Sequence, residues 1–135
     1  MAEADTEQYR QELTVDPQHL SGLRQTVAAH VRSWGWDQVV DAAAMCVTEM
    51  LSNVNRHAGS DECVLLLQAS PSRVRIVVSD TSPELPVVSV PEWDSERGRG
   101  MFMLSETADA WGAEPTDSGK DVWIEFRASG LLGAA

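Results

Sequence analysis

Residues 48–58 read Thr-Glu-Met-Leu-Ser-Asn-Val-Asn-Arg-His-Ala and form the second half of a predicted helix. Apolar residues recur at three- and four-residue spacing through this segment and the run before it, which indicates a helix with one apolar stripe. The stripe consists of Val40, Ala43, Ala44, Val47, Leu51 and Val54. Glu49 and Asn53 lie four residues apart, so they share a face roughly opposite that stripe. The segment predicts a helix that carries a carboxylate and an amide one turn apart.

The face that carries Glu49 and Asn53 has two interpretations. Polar residues opposite an apolar stripe are usually solvated. However, Ala42, Met45 and Cys46 lie on the same side, and a helix that is apolar all round is a buried helix. A carboxylate on a buried helix needs a partner or a polar cavity. In a cavity, the glutamate can hold or take a proton and the asparagine oxygen can reach a hard cation.

Length and charge narrow the class of protein. A chain of 135 residues predicts one domain with a single hydrophobic core. Its net charge of -11 disfavours a sequence-independent nucleic-acid binder and an anionic membrane surface. We find no stretch of roughly 20 apolar residues and no signal peptide. Cys46 and Cys63 lack metal-ligand spacing, so we expect a cytoplasmic protein with reduced cysteines.

The order of the elements predicts the fold class. Strands are predicted at 9–15, 62–69, 74–79 and 122–127, with a short strand from Trp111, and helices at 20–34, 37–57 (capped by Asp37) and 100–108. Because helices and strands are segregated, we expect an α+β fold: a two-layer α/β sandwich with a mixed, mostly antiparallel sheet covered on one face by helices. The apolar run 64–67 predicts a strand covered on both faces, and Trp111 and Trp123 are expected in the core. The folded domain is expected at 9–128, with flexible ends at 1–8 and 129–135.

Three further segments have chemical interest. Asp80 ends an apolar strand and opens a proline-containing turn, where an aspartate is most often a turn cap. Residues 97–100, Arg-Gly-Arg-Gly, precede a helix; they fit either a phosphate-binding turn or a flexible hinge. Residues 119–123 fit a hairpin with an exposed Lys120, and residues 87–99 form a long loop.

Four motifs in this order resemble the ATP-binding domain shared by gyrase, sensor histidine kinases, a heat-shock chaperone and mismatch-repair ATPases (the Bergerat fold). The motifs are residues 49–58, 80–83, 98–101 and 108–112. Any one of them is a weak match, but all four in order are specific. The chain is most similar to the small anti-sigma factor serine kinases of spore- and stress-regulating bacteria, especially their actinobacterial branch, over residues 10 to 127.

The resemblance implies roles for three residues of the helix and the strand end. Asn53 corresponds to the Mg²⁺ ligand, with the metal bridging the phosphates of ATP. Glu49 corresponds to the general base that draws a proton from a substrate serine. Asp80 corresponds to the carboxylate that accepts a hydrogen bond from the adenine amino group and so selects adenine over guanine.

The resemblance also implies a phosphate-binding turn and a lid. Gly98 and Gly100 correspond to the turn, Met101 completes that motif, and residues 87–99 correspond to the lid over the nucleotide. Either Arg97 or Arg99 is expected to neutralise the γ-phosphate, and the spacing does not choose between them. This small set suffices because phosphoryl transfer depends mainly on positioning and charge neutralisation.

Two positions depart from the family pattern. Ser82 stands where the family commonly has a glycine close to the adenine, so its backbone is still expected beside the base. Asp121 stands where the family often has a threonine near the adenine-binding aspartate. On that alignment, Asp121 places a second carboxylate near Asp80 and weakens nucleotide binding.

Two classes of function follow. The first is an ATP-dependent protein serine kinase that phosphorylates an anti-anti-sigma (STAS-domain) protein and regulates transcription by sequestering a sigma factor. The second is a non-catalytic regulator that binds a partner and has weak or vestigial nucleotide binding. A hydrolytic ATPase ranks third, because the transducer domain of such enzymes is not found here. The resemblance suggests a homodimer, and no direct contact with nucleic acid or membrane is expected.

Overall fold

A computed structural model describes residues 6–57, 62–82 and 106–128, and the structural statements below concern these residues. The strands are β1 (Glu7–Thr14), β2 (Glu62–Ala69), β3 (Arg73–Asp80), β4 (Ala110–Thr116) and β5 (Gly119–Arg127), and the helices are α1 (Leu20–Ser33) and α2 (Val40–His57). Short 3₁₀ turns at Pro17–His19 and Asp37–Val39 precede the two helices. Gly35, which follows α1, has a φ of 86°, a conformation that glycine adopts without steric cost.

The five strands form one sheet in the order β1-β2-β3-β5-β4, and every neighbouring pair is antiparallel. The two helices pack against each other, and α2 also contacts β3. This arrangement confirms the predicted α+β fold with an antiparallel sheet and helices on one face.

The core lies between the helices and one face of the sheet. Alternate residues of β2 and β3 are buried, as expected when one face of a strand is covered. The buried core includes Val27, Val31, Val47, Leu51, Val54, Leu65, Leu67, Val74, Ile76, Val78, Ile124 and Phe126. The same alternation decides which polar residues of each strand lie on the helix side.

Several sequence-based boundaries differ from the structure. The strand β1 starts at Glu7, so Glu7 and Gln8 belong to the sheet and not to a flexible end. Asp37 starts a 3₁₀ turn and does not cap a helix, since the residue at the N-cap position is Trp36. Val64 and Leu66 are only half-buried, so the expectation that β2 is covered on both faces was wrong: within the described residues, the helices cover one face.

Trp123 lies on the sheet face opposite the helices, and its expected place in the core was wrong. Val122 and Ile124 belong to the core, so Trp123 between them points the other way. Its ring covers Gly112, where an added Cβ would lie 2.6 Å from Cζ2 of Trp123. The guanidinium of Arg75 stacks on the indole at 4.1 Å from its centroid, an attractive cation–π contact.

Candidate functional site

The first part of the site is the face of α2 that carries Glu49 and Asn53, and both residues are half-buried. On the same side Met45 is 37% exposed, whereas Cys46 is buried. The helix is therefore not apolar and buried all round, because this side of it meets solvent. Neither Glu49 nor Asn53 has a side-chain hydrogen bond or ion pair within the described residues.

Burial and the nearby carboxylate of Glu49 both affect the pKa of the Cys46 thiol. Burial in apolar surroundings and, second, the nearby charge of Glu49 raise the pKa of Cys46 to about 12. Both causes disfavour the thiolate. Cys46 is thus an inert packing residue at neutral pH.

The donor set on α2 fits a hard cation that is shared with phosphates. Amide and carboxylate oxygens are the ligands that Mg²⁺ prefers, and Mg²⁺ usually keeps water and substrate phosphate in its shell. The described residues contain no group of three or more His, Cys, Asp or Glu side chains that could hold a metal.

The second part of the site is the end of β3. Val74, Ile76 and Val78 point into the core, so Asp80, two residues further along, lies on the same helix-covered face. Asp80 is buried. Its Oδ1 atom accepts a hydrogen bond of 3.0 Å from the backbone N–H of Ser82, which is also buried. The aspartate is thus held at the strand end, with Ser82 packed beside it.

Lys120 faces Asp80 across the β3–β5 pair. The two residues are register partners, and Nζ of Lys120 lies 3.0 Å from both Oδ1 and Oδ2 of Asp80. The ammonium also lies 3.5 Å from the carbonyl oxygen of Ser82. Lys120 is buried, so the expectation of an exposed lysine was wrong.

Asp121 lies on the other face of the sheet, and the expectation that it adds a second carboxylate beside Asp80 was wrong. Its register partner is Ser79, whose hydroxyl donates a hydrogen bond of 2.6 Å to Oδ1 of Asp121. Successive residues of a strand point to opposite faces. Since Val122 lies in the core, this rule places Lys120, not Asp121, on the side of Asp80, and the alternation in the sequence contained this signal.

Two neighbours fix the surroundings of Asp80. A side chain at Gly119 would overlap the backbone carbonyl of Asp80, so the β4–β5 turn is pressed against the end of β3. Cys63 is the register partner of Asp80 on β2. Burial and, second, the charge of Asp80 raise the pKa of Cys63 to about 11. Asp80 is thus enclosed between the strands β2 and β5.

The last motif of the sequence has a structural explanation. Oδ2 of Asp109 accepts a hydrogen bond of 2.6 Å from the backbone N–H of Arg127, and the backbone N–H of Asp109 bonds the carbonyl oxygen of Glu125 at 2.9 Å. Gly112 makes room for the ring of Trp123. Residues 108–112 therefore fix β4 on β5 and do not line the Asp80 site.

The predicted phosphate-binding residues lie outside the described residues. These are Arg97, Gly98, Arg99, Gly100 and Met101, together with the lid at 87–99 and the helix end at 58–60. Their roles remain predictions. The helix α2, which carries Glu49 and Asn53, contacts β3, which ends at Asp80.

Residues 13–126 match the family model of the histidine kinase-like ATPase domain. The fold is similar to the crystal structure of the RsbU and RsbW domains of Rv1364c from Mycobacterium tuberculosis, with a TM-score of 0.63 and 15% identity. The match covers 88% of this chain and 32% of that one, so this chain spans about a third of the longer protein. At this identity, the similarity concerns the fold. Comparison with curated proteins finds no match. Neither described helix is both long and apolar enough to cross a bilayer.

Proposed function

The chain belongs to the histidine kinase-like ATPase domain family, and on this premise we propose that it is an ATP-dependent protein serine kinase of the anti-sigma factor type. It phosphorylates an anti-anti-sigma protein with a STAS domain, and it regulates transcription in the cytoplasm by sequestering a sigma factor. The observation that supports this proposal is the placement of Glu49 and Asn53 one turn apart on α2, with Asp80 at the end of the strand that α2 contacts.

In this proposal, Glu49 is the general base. The hydroxyl oxygen of the substrate serine attacks the γ-phosphorus of ATP, the bond between that phosphorus and the β,γ-bridging oxygen breaks, and ADP leaves. The hydroxyl proton passes to the carboxylate of Glu49, which is half-buried and makes no ion pair within the described residues. A base of this kind contributes about 10²- to 10⁴-fold to the rate.

Asn53 and Asp80 bind the two ends of the nucleotide. The amide oxygen of Asn53 would hold Mg²⁺, which would supply neutralisation of phosphate charge. The carboxylate of Asp80 accepts a hydrogen bond from the adenine amino group, and the backbone of Ser82 lies beside the base. Asp80 at the end of β3 and Ser82 two residues further along are both buried, which supports their role in recognition of the base.

The phosphates are bound by the segment that precedes the third helix predicted from the sequence. Gly98 and Gly100 allow backbone N–H groups to approach the phosphate oxygens, and Met101 follows this turn. Arg97 or Arg99 neutralises the γ-phosphate. Residues 87–99 close over the nucleotide.

One observation favours a second function, a non-catalytic regulator that binds its partner with weak or vestigial nucleotide binding. Both carboxylate oxygens of Asp80 already accept hydrogen bonds from Lys120. The two side chains are only 7% and 4% exposed, so an adenine amino group has little access to the carboxylate beside this ammonium, and the chain can have lost tight nucleotide binding while keeping the fold.

Calorimetric titration with ATP and Mg²⁺, with GTP as the control ligand, tests nucleotide binding. We expect Mg²⁺-dependent, adenine-selective binding that is lost in Asn53→Ala with the free energy of unfolding unchanged. Ser52→Ala is the matched control, because Ser52 is half-buried on the same helix and has no proposed contact with ATP. Unchanged affinity in a folded Asn53→Ala protein contradicts the role of Asn53.

Transfer of labelled γ-phosphate to STAS-domain proteins separates the two functions. We expect Glu49→Gln to bind ATP with the affinity of the wild type and to lose at least about 10²-fold in the transfer rate. Tight partner binding by the wild type without transfer, even at saturating ATP, supports the non-catalytic regulator instead.

A further inference from the structure

Lys120 is the only lysine of the sequence. Its ammonium pairs with Asp80, the carboxylate proposed to bind the base. The side chains of Lys120 and Asp80 are 7% and 4% exposed, respectively. A lysine is almost never this buried unless it is paired. A position in a surface hairpin therefore does not explain the burial of Lys120.

The contacts use the whole hydrogen-bonding capacity of the ammonium. Its three donors have three acceptors: the two carboxylate oxygens of Asp80 at 3.0 Å each and the carbonyl oxygen of Ser82 at 3.5 Å. The Oδ1 atom of Asp80 also accepts from the backbone N–H of Ser82. Lys120, Asp80 and the Ser82 backbone thus form a closed polar unit within the described residues.

Three hydrogen bonds leave one acceptor site on Oδ2 of Asp80, but the side chain of Asp80 is only 4% exposed, so a donor from a nucleobase has little access to it beside the ammonium. In the bond from Lys120 to Asp80 both the donor and the acceptor are charged, whereas in a bond from the exocyclic amino group of a base only the carboxylate is charged. A base therefore does not displace Lys120 by a stronger bond. It binds when the ion pair has opened.

Opening this pair is costly because it separates two charges at a buried position. A ligand that binds only the open form has an apparent dissociation constant equal to the intrinsic constant divided by the fraction of open protein. If one molecule in ten is open, the affinity falls about tenfold.

We propose that Lys120 sets the nucleotide affinity of this protein by competing with the base for Asp80. This inference rests on the proposed function, since it assumes that Asp80 reads the base. The nucleotide-free protein keeps the pair closed, and nucleotide binding moves the ammonium away from the carboxylate. Lys120 is an affinity-determining residue and has no role in the chemical step.

The first test measures Mg²⁺-ATP affinity by calorimetry in the wild type and in Lys120→Met, which keeps most of the length of the side chain without its charge. We expect Lys120→Met to bind about tenfold tighter or better. Equal or weaker binding by a folded Lys120→Met protein, when the wild type binds, overturns the inference and leaves the proposed function standing. Absence of binding in both proteins overturns the proposed function and the inference with it.

The second test needs no change to Lys120. A protein labelled with ¹³C only in lysine gives one ε-methylene NMR signal, because the chain has one lysine. Saturating Mg²⁺-ATP should move this signal away from its nucleotide-free position and toward its position in Asp80→Asn, where the carboxylate charge is absent. A signal that stays in place while ATP binds overturns the inference.

Discussion

Asp80 and Glu125 are both buried carboxylates on neighbouring strands, but they lie on opposite faces of the sheet and have different partners. Among the described residues, Asp80 pairs with one cation, Lys120, and both side chains are enclosed. Glu125 pairs there with three, with Arg73 at 3.2 Å, Arg75 at 2.8 Å and Arg127 at 3.3 Å.

The three arginines of Glu125 keep contact with water, since their side chains are 52%, 27% and 55% exposed. An ion pair with an exposed partner contributes little, because the partner can be hydrated and is screened by salt. An enclosed pair is costly to break, because the remaining charge is left without water. We therefore expect enclosure, rather than the number of cations, to decide how much each carboxylate contributes to stability.

The largest expected effect is that of Asp80→Ala. It leaves the ammonium of Lys120 buried and unpaired, so we expect the free energy of unfolding to fall by about 3–5 kcal/mol. Urea unfolding measures this change. Asp80→Leu combined with Lys120→Met is the control: it removes both charges and should recover most of the loss. A double variant as unstable as Asp80→Ala contradicts this explanation.

A smaller loss is expected for Glu125→Ala, about 2 kcal/mol, because the arginines that it leaves can be hydrated. The same urea experiment checks it. A loss as large as that of Asp80→Ala would remove the contrast between the enclosed and the exposed clusters.

The pH dependence of stability probes the surroundings of Asp80 through Cys63. Burial and the charge of Asp80 raise the pKa of Cys63 from 9.0 to about 11. Above pH 9 the unfolded chain loses this proton first, so the folded state binds more protons and its stability falls as pH rises from 9 to 11. We expect a loss of about 1 kcal/mol at pH 10 relative to pH 8.

Cys63→Ala is the control for this measurement, because it lacks the thiol and should lose less stability over the same interval. Equal losses of stability in the two proteins at pH 10 would show that folding does not raise the pKa of the Cys63 thiol. In Asp80→Asn we expect a smaller loss than in the wild type, because one of the two causes of the raised pKa is removed.

The smallest effect is expected from salt. A double-mutant cycle between Arg73 and Glu125 should give a coupling of about 0.5 kcal/mol. That coupling should shrink in 1 M NaCl, where the screening length is about 3 Å. The coupling between Asp80 and Lys120 should change little, because buried pairs are screened much less. A salt-independent coupling of Arg73 to Glu125 would place both clusters in the same class.

The sequence by itself determined the class of fold and the candidate residues. Helical spacing located α2 with Glu49 and Asn53, and the motif order indicated the ATP-binding family that the match over residues 13–126 confirms. The helix could be predicted because it depends on local periodicity, which the packing of one core reinforces, whereas the family was indicated by the resemblance of four motifs in order.

Only the tertiary structure decided the partner of Asp80. Alternation along β5 could have shown that Lys120 shares the face of Val122, but not that its ammonium meets Asp80. That contact depends on the register between β3 and β5, which pairs Asp80 with Lys120, 40 positions further along the chain. A slip of one residue in this register would turn every side chain of the strand to the other face. Burial then decided how strongly this contact affects stability, because the same two charges in water would attract each other only weakly.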